Sequence, residues 1–333
     1  MKDLWSAIPR RGRVILLVAI TLLLAAPMVL DRYLISIFVL IFYFAYVGQA
    51  WNLMMGFAGQ LSLGHALYAG LGGYVAALLW FYFGIGPWLG VFAGVAVAAT
   101  FGAVIGWLGF RFGIEGVYFA LLTIAFAEFT RIAFDNMAFT GGAGGLFLLY
   151  DAQRSHEWWN LRGGPLLFYY LGLALAAAAA ILTARLARSR IGFQWLAVRE
   201  DQQAALALGI NVFRVKMIAV LISSGMTAIG GVLIAFYYNN LFPAQAFDIG
   251  RSIEIILAPV IGGLGTIFGP IVGAFILTPL GEGLIALTVS LGVNVPGAKA
   301  VFYGLTLMAI ITLRPDGVWP WLKRLLGLTE TES

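Results

Sequence analysis

The chain has no cysteine in 333 residues, which excludes a disulfide framework, thiol catalysis and any metal site built on thiolates. Charge is scarce as well. Asp, Glu, Lys and Arg together make up 11% of the chain, against about 25% in soluble domains. None of the four lysines follows a glycine, so the Gly-Lys-Ser/Thr of a P-loop is missing and the chain cannot serve as its own P-loop ATPase. Histidine is limited to His65 and His156, far apart and without metal-ligand partners at helical spacing. No Gly-x-Ser-x-Gly nucleophile elbow occurs. These absences argue against an enzyme, and no catalytic, metal-ligating or cofactor-binding residue is expected.

What is present is apolar. Hydrophobic residues make up 62% of the chain, and the mean hydropathy is +0.95. A water-soluble core of this composition would expose large apolar patches and aggregate, whereas a bilayer solvates it. The net charge of +5 calls for no nucleic acid, because the basic residues gather at the ends of apolar runs, as membrane topology requires.

Those runs fall at about 14–30, 34–56, 65–83, 87–110, 115–137, 165–187, 214–238, 252–264, 267–291 and 298–313. Unpaired backbone groups are not tolerated in lipid, so the runs must be helices. The expected fold is all-α, a polytopic transmembrane bundle of about ten spans including short or broken helices. Eight spans are the alternative if one short segment is re-entrant and another pair merges. Run 252–264 is short for a span of about 20 residues, and Pro259, Gly262, Gly263 and Gly265 suggest a broken helix lining protein. Met1 to Arg13 is basic and precedes the apolar run Val14–Leu30, which is longer than the about 7–15 residues of a signal-peptide core and reads as a first span.

Residues 1–13 form a cytoplasmic N-terminal segment, 14–313 the transmembrane domain and 314–333 a cytoplasmic tail. Lys2, Arg10, Arg11 and Arg13, then Arg185, Arg188, Arg190, Arg199, Arg214 and Lys216, then Arg314, Lys323 and Arg324 place both termini and the 188–213 connection in the cytoplasm. The connections 139–164 and 239–250 then lie outside. Trp158 and Trp159, with Trp80 and Trp88, fit interfacial anchors at outer span ends.

Glycine is abundant at 42 residues and recurs within spans with Ala and Ser, a pattern that lets helix backbones approach closely. The run Gly56-Phe-Ala-Gly-Gln-Leu-Ser-Leu-Gly64 is echoed by Gly262-Gly-Leu-Gly-Thr-Ile-Phe-Gly-Pro270. Paired glycine-interrupted segments of this kind point to a possible inverted repeat with a central site.

Polar residues inside spans are costly and hint at function. Gln60, Ser62 and His65, at the glycine-broken segment, are candidates to line a pathway. Asn52 and Thr123 are either pathway residues or helix-to-helix hydrogen bonders. Glu128, Arg131 and Asp135 share a helical face and form either an ion-pair ladder or a transport element. Glu282 is expected to pair with a neighbouring helix. In the 188–213 connection, Glu200 and Asp201 sit where a helix N-terminus favours carboxylates, and Gly209 suits its C-terminal stop. The short helix between them, with Ala204, Ala205 and Ala207 expected on its surface, is either an ordinary solvated linker or an element that enters a groove on a partner.

Gln203-Ala204-Ala205, followed after three residues by Gly209, resembles the EAA–x3–G coupling loop of ABC importer permeases, with Gln203 standing where that loop has Glu. Gly56-Phe-Ala-Gly-Gln-Leu-Ser-Leu-Gly-His65 is similar to the G-x-A-G-Q-x-S-x-G-H segment of the branched-chain amino acid permease family, of the LivM type. So are Gly116-Val-Tyr-Phe-Ala-Leu-Leu-Thr-Ile-Ala-Phe-Ala-Glu128, Thr140-Gly-Gly-Ala-Gly-Gly-Leu146, the Gly262–Gly273 segment and Leu313-Arg-Pro-Asp-Gly317, in the same order from about residue 45 to 317.

The resemblance implies a permease subunit in a bacterial inner membrane. Its partners would be a related second permease, two ABC ATPases and an extracytoplasmic solute-binding protein. ATP and Mg would be held by the ATPases and not by this chain. It assigns Arg199, Glu200, Asp201, Gln203, Ala204, Ala205 and Gly209 to ATPase coupling. The solutes implied are branched-chain amino acids, or related urea and short amides, moved by alternating access. An ion-coupled secondary transporter and a non-transporting assembly subunit are the alternative classes.

Overall fold

A computed structural model describes residues 9–148, 160–292 and 297–328. Lys2, His156, Trp158 and Trp159 lie outside the described residues, as do 329–333 of the tail.

The ten apolar runs all fold as helices. They are α1 (Arg10–Ala25), α2 (Arg32–Asn52), α3 (His65–Phe83), α4 (Pro87–Arg111), α5 (Gly116–Asn136) and α6 (Pro165–Ala187), then, beyond two short helices, α9 (Val212–Tyr238), α11 (Ile249–Gly262), α12 (Gly269–Ser290) and α13 (Ala298–Leu313). Among the described residues, eight helical segments are long and apolar enough to cross a membrane. The other two apolar helices are α13 and the 14-residue α11, which carries Pro259 inside it.

The short helices are α7 (Arg190–Glu200) and α8 (Gln202–Ala207) between α6 and α9, α10 (Pro243–Ala246) before α11, and α14 (Val318–Leu325) after α13. Helix α7 was not anticipated. Its signal is local: the Ser189 hydroxyl accepts from the Gly192 N–H and starts the helix, as Ser does at an N-cap. The only sheet among the described residues is an antiparallel pair, β1 (Leu146–Phe147) with β2 (Asn240–Leu241), in register Leu146↔Leu241.

Glycine brings the central helices together. A Cβ on Gly94 of α4 would stand 2.8 Å from the carbonyl oxygen of Gly72 on α3, and one on Gly73 would stand 3.0 Å from the Gly231 oxygen on α9. A Cβ on Gly231 itself would collide with the backbone of Ala69. Helices α3, α4 and α9 thus form a tightly apposed core, as small-residue faces allow in lipid. On the other side of α2, aromatic rings fill the gaps: Phe42 meets Tyr169 of α6 at 5.1 Å and Phe275 of α12 at 6.2 Å, both edge-on.

The two glycine-rich segments meet. A Cβ on Gly48 of α2 would lie 3.1 Å from Pro259 of α11, and one on Gly265 would lie 2.9 Å from the Gly56 oxygen. Helices α2 and α11 therefore run side by side in the same sense and turn back at the same end. The expectation of an inverted repeat is corrected on this point, because the two echoing units are parallel. Both described chain ends lie at that end too. The stretch after α13 packs on the Gly262–Gly269 turn, with Gly317 against Gly263, and Gly327 faces Arg11 of α1.

Candidate functional site

The site begins with a problem of backbone pairing. Residues 58–64 are irregular and largely buried, and irregular backbone at membrane depth is tolerated only where its polar groups find partners. Gly64 stands at the N-cap of α3 and has no side chain to cap it. Other helices supply the missing acceptors. Ser252 Oγ on α11 accepts from the Ala66 N–H at 2.9 Å. Thr123 Oγ1 on α5 accepts from the Leu63 N–H at 3.1 Å and donates to the Ala120 carbonyl of its own helix. Trp51 Nε1 donates to the Ser62 carbonyl at 2.7 Å. Before this stretch, α2 loosens into a π-turn over Leu53–Phe57, a form that often marks functional positions.

His65 stands at the start of α3 between two hydroxyls, with Nδ1 3.0 Å from Ser62 Oγ and Nε2 2.9 Å from Ser223 Oγ on α9. Ser223 spends its one hydroxyl proton on the Ala50 carbonyl, at 2.7 Å. It must therefore accept from the ring, which fixes the proton on Nε2. His65, Ser62 and Ser223 are all wholly buried.

Asn52, at the end of α2, bonds both ways with the second glycine turn. Its Oδ1 accepts from the Gly265 N–H at 2.8 Å, and its Nδ2 donates to the Thr266 carbonyl at 2.9 Å. Arg199, at the end of α7, completes the junction by donating from Nη1 to the Gly56 carbonyl at 2.5 Å. Its aliphatic stem covers Gly59, whose φ of +69° needs glycine. The junction therefore joins α2, the turn into α3, the α11–α12 turn and the α7–α8 connection.

Of the sequence-predicted residues, Asn52, Ser62, His65 and Thr123 converge here. Gln60 is buried beside them and donates to the nearby Ala58 carbonyl. The partners Ser223 and Ser252 were missed, because a serine in an apolar helix carries no signal of what faces it.

Helix α8 starts as expected. Asp201 caps it, accepting from the N–H groups of Gln203 and Ala204, while Glu200 pairs with Arg199 at 2.6 Å. Gly209 ends the turn with φ +80°. One expectation is corrected: Ala205 is 1% exposed and faces into the protein. The outward face carries Ala204 and Ala207 together with Leu206 at 56% and Leu208 at 80% exposure. A second tether holds this helix, since Gln202 Nε2 donates to Glu115 just before α5, and Lys216 of α9 lies 3.6 Å from the same carboxylate.

Two further groups of charges on the helices are paired. Arg131 contacts Glu128 at 2.5 Å and Asp135 at 2.7 Å. Glu282 lies 3.6 Å from Lys299 of α13, which also reaches Glu254 of α11 at 3.1 Å. Glu254 in turn pairs with Arg251 at 3.3 Å.

Eight long apolar helical segments, two helix breaks sealed against one another and a short surface helix tied to that seal define a polytopic helical membrane protein. The chain belongs to the family described as branched-chain amino acid transport system, permease component, which it matches over residues 33–311. It is 28% identical over 288 residues to the high-affinity branched-chain amino acid transport system permease protein LivM of Escherichia coli, covering 80% of this chain and 67% of that protein. It is also similar to the permease protein LivH of the same organism, at 27% over 246 residues, 70% of this chain and 79% of the relative. A shorter likeness, 32% over 108 residues, links it to the autoinducer 2 import system permease protein LsrC of Photorhabdus luminescens, covering 31% of this chain and 32% of the relative. No solved structure matches it.

Proposed function

We propose that this chain is a permease subunit of an ATP-driven importer that moves branched-chain or related small amino acids inward across a bacterial inner membrane by alternating access. One observation carries the reading. Helix α8 presents exposed Leu206 and Leu208 and is held on either side by Arg199 to the Gly56 turn and by Gln202 to the start of α5. A partner gripping this face pulls on the junction of the two helix breaks directly. ATP and Mg belong to that partner, a pair of ABC ATPases, because this chain has no P-loop.

In this mechanism the Asn52–Gly265 seam and the His65–Ser223 contact are the points at which α2, α3, α9 and α11 shift against one another. Asn52, Gln60, Ser62, His65 and Thr123 form the wall that opens to the solute. Arg199 and Gln202 carry the motion from the ATPase side, while Glu200, Asp201, Gln203, Ala204, Ala205 and Gly209 shape the docking element. The clustering of Arg185, Arg188, Arg190, Arg199, Arg214 and Lys216 supports a cytoplasmic side for this end, with both termini. A related second permease completes the translocation path, and an extracytoplasmic solute-binding protein delivers the solute to the opposite end.

The test is mild detergent extraction of the tagged chain from its host and identification of what accompanies it. Two P-loop ATPases and a related permease are expected, with the ATPases lost from Leu208→Glu. A chain that purifies alone from intact membranes contradicts the reading.

A further inference from the structure

A cavity of about 360 Å³ opens in the half of the bundle away from Arg199, within the about 300–1,000 Å³ usual for small-molecule sites. Ala69, Gly70 and Gly231 line it where α3 and α9 touch. Ala69 lies one helical turn, about 6 Å, beyond His65, so the cavity stands directly above the junction. Its lining holds Arg251 near the phenols Tyr43 and Tyr238, together with Gln245 and the aliphatic Ile234 and Leu241.

Arg251 decides the chemistry. Its guanidinium has five N–H donors, and Glu254 takes one of them, at 3.3 Å. That carboxylate is shared with Lys299, which Glu282 also faces at 3.6 Å, so the cluster balances its charge while Arg251 keeps N–H donors to spare. A guanidinium with spare donors, near two phenols in a lining that also holds Ile234 and Leu241, matches a carboxylate that carries a short apolar group. The planar fork favours carboxylates in two-point contact. Urea and simple amides offer no anion to it.

We propose that this cavity is a solute-binding site for a carboxylate-bearing amino acid with a short aliphatic side chain. In it Arg251 holds the carboxylate, Tyr43 and Tyr238 bound the polar end, and Ile234 and Leu241 receive the side chain. The inference rests on the importer reading and assigns its selection against urea and simple amides to Arg251.

The absence of cysteine from the chain gives a direct test. Gln245→Cys places a single thiol in the cavity lining of the otherwise native subunit, purified with its partners. Maleimide labelling of this subunit is then followed by mass with graded L-leucine, acetamide or urea. Leucine is expected to slow labelling and the two amides to leave it unchanged. Adding Arg251→Gln should raise the leucine concentration needed for protection by about 10- to 100-fold, the loss of one charged hydrogen-bonded contact. Labelling indifferent to leucine overturns the site, as does protection by acetamide or urea equal to that by leucine. Protection that survives Arg251→Gln overturns the role of the guanidinium. ATP-driven uptake by the same preparation reports on the importer reading separately, since labelling requires binding and not transport.

Discussion

Asn52 and Gly265 are 213 residues apart in the chain and bond through the Asn52 side chain at 2.8 Å, while the same amide donates to the Thr266 carbonyl at 2.9 Å. One side chain thus seals two glycine turns that would otherwise leave backbone groups unpaired within the bundle. Asn52→Leu keeps the volume and removes both bonds. It is expected to cost about 1–3 kcal/mol for each backbone group left unsatisfied, read as a lower unfolding midpoint of the detergent-solubilised protein. An unchanged midpoint would show that the seam is not a structural lock.

Helix α3 depends on caps that arrive from elsewhere. Ser252→Ala removes the acceptor for Ala66 N–H and Thr123→Val the one for Leu63 N–H. Each is expected to lower stability by about 0.5–2 kcal/mol, the usual cost of a lost cap. Because both serve the same helix start, the double variant should depart from additivity. Thermal unfolding of the four proteins checks this.

The glycines are not equivalent. Gly231→Ala sets a methyl group into the Ala69 backbone, and separating α3 from α9 should cost more than the about 1–3 kcal/mol of ordinary overpacking. Gly283 of α12 has open space at the same position. Gly283→Ala should therefore be neutral or gain up to about 1 kcal/mol from helix propensity. Yields of folded, monodisperse protein separate the two.

On α8 the buried and exposed positions should behave oppositely. Ala205→Glu forces a carboxylate into a closed contact and should lower the folded yield. Leu208→Glu, on an 80% exposed side chain, should leave the unfolding midpoint unchanged while abolishing ATPase association. Equal destabilisation by both would mean that Leu208 packs within the chain.

The helices were legible because bilayer thickness and backbone satisfaction leave one reading for a run of about 20 apolar residues. Every run became a helix, and even the short 252–264 run declared itself through Pro259 and its glycines. The Asp201 cap and the Gly209 stop could be read for the same reason, since capping is local. The amphipathic α14, with Lys323 and Arg324 beside Trp319 and Trp321, was passed over as tail. Ala205 was misplaced because a six-residue helix with the sequence QQAALA is too short for its periodicity to show an inner face. The direction of the repeat could not be read either. It depends on which end of α2 meets which end of α11, and sequence likeness is blind to that. Ser223, Ser252 and Arg251 gain their meaning only from what stands opposite them across the bundle.

The measurement closest to the central claim is L-leucine accumulation in liposomes containing the chain with its co-purified partners and binding protein. ATP is supplied on the side where α8 lies and leucine on the other. The account predicts accumulation that requires ATP, persists in the presence of a protonophore and disappears in Leu208→Glu. Accumulation without ATP that collapses when the ion gradient is dissipated would contradict it.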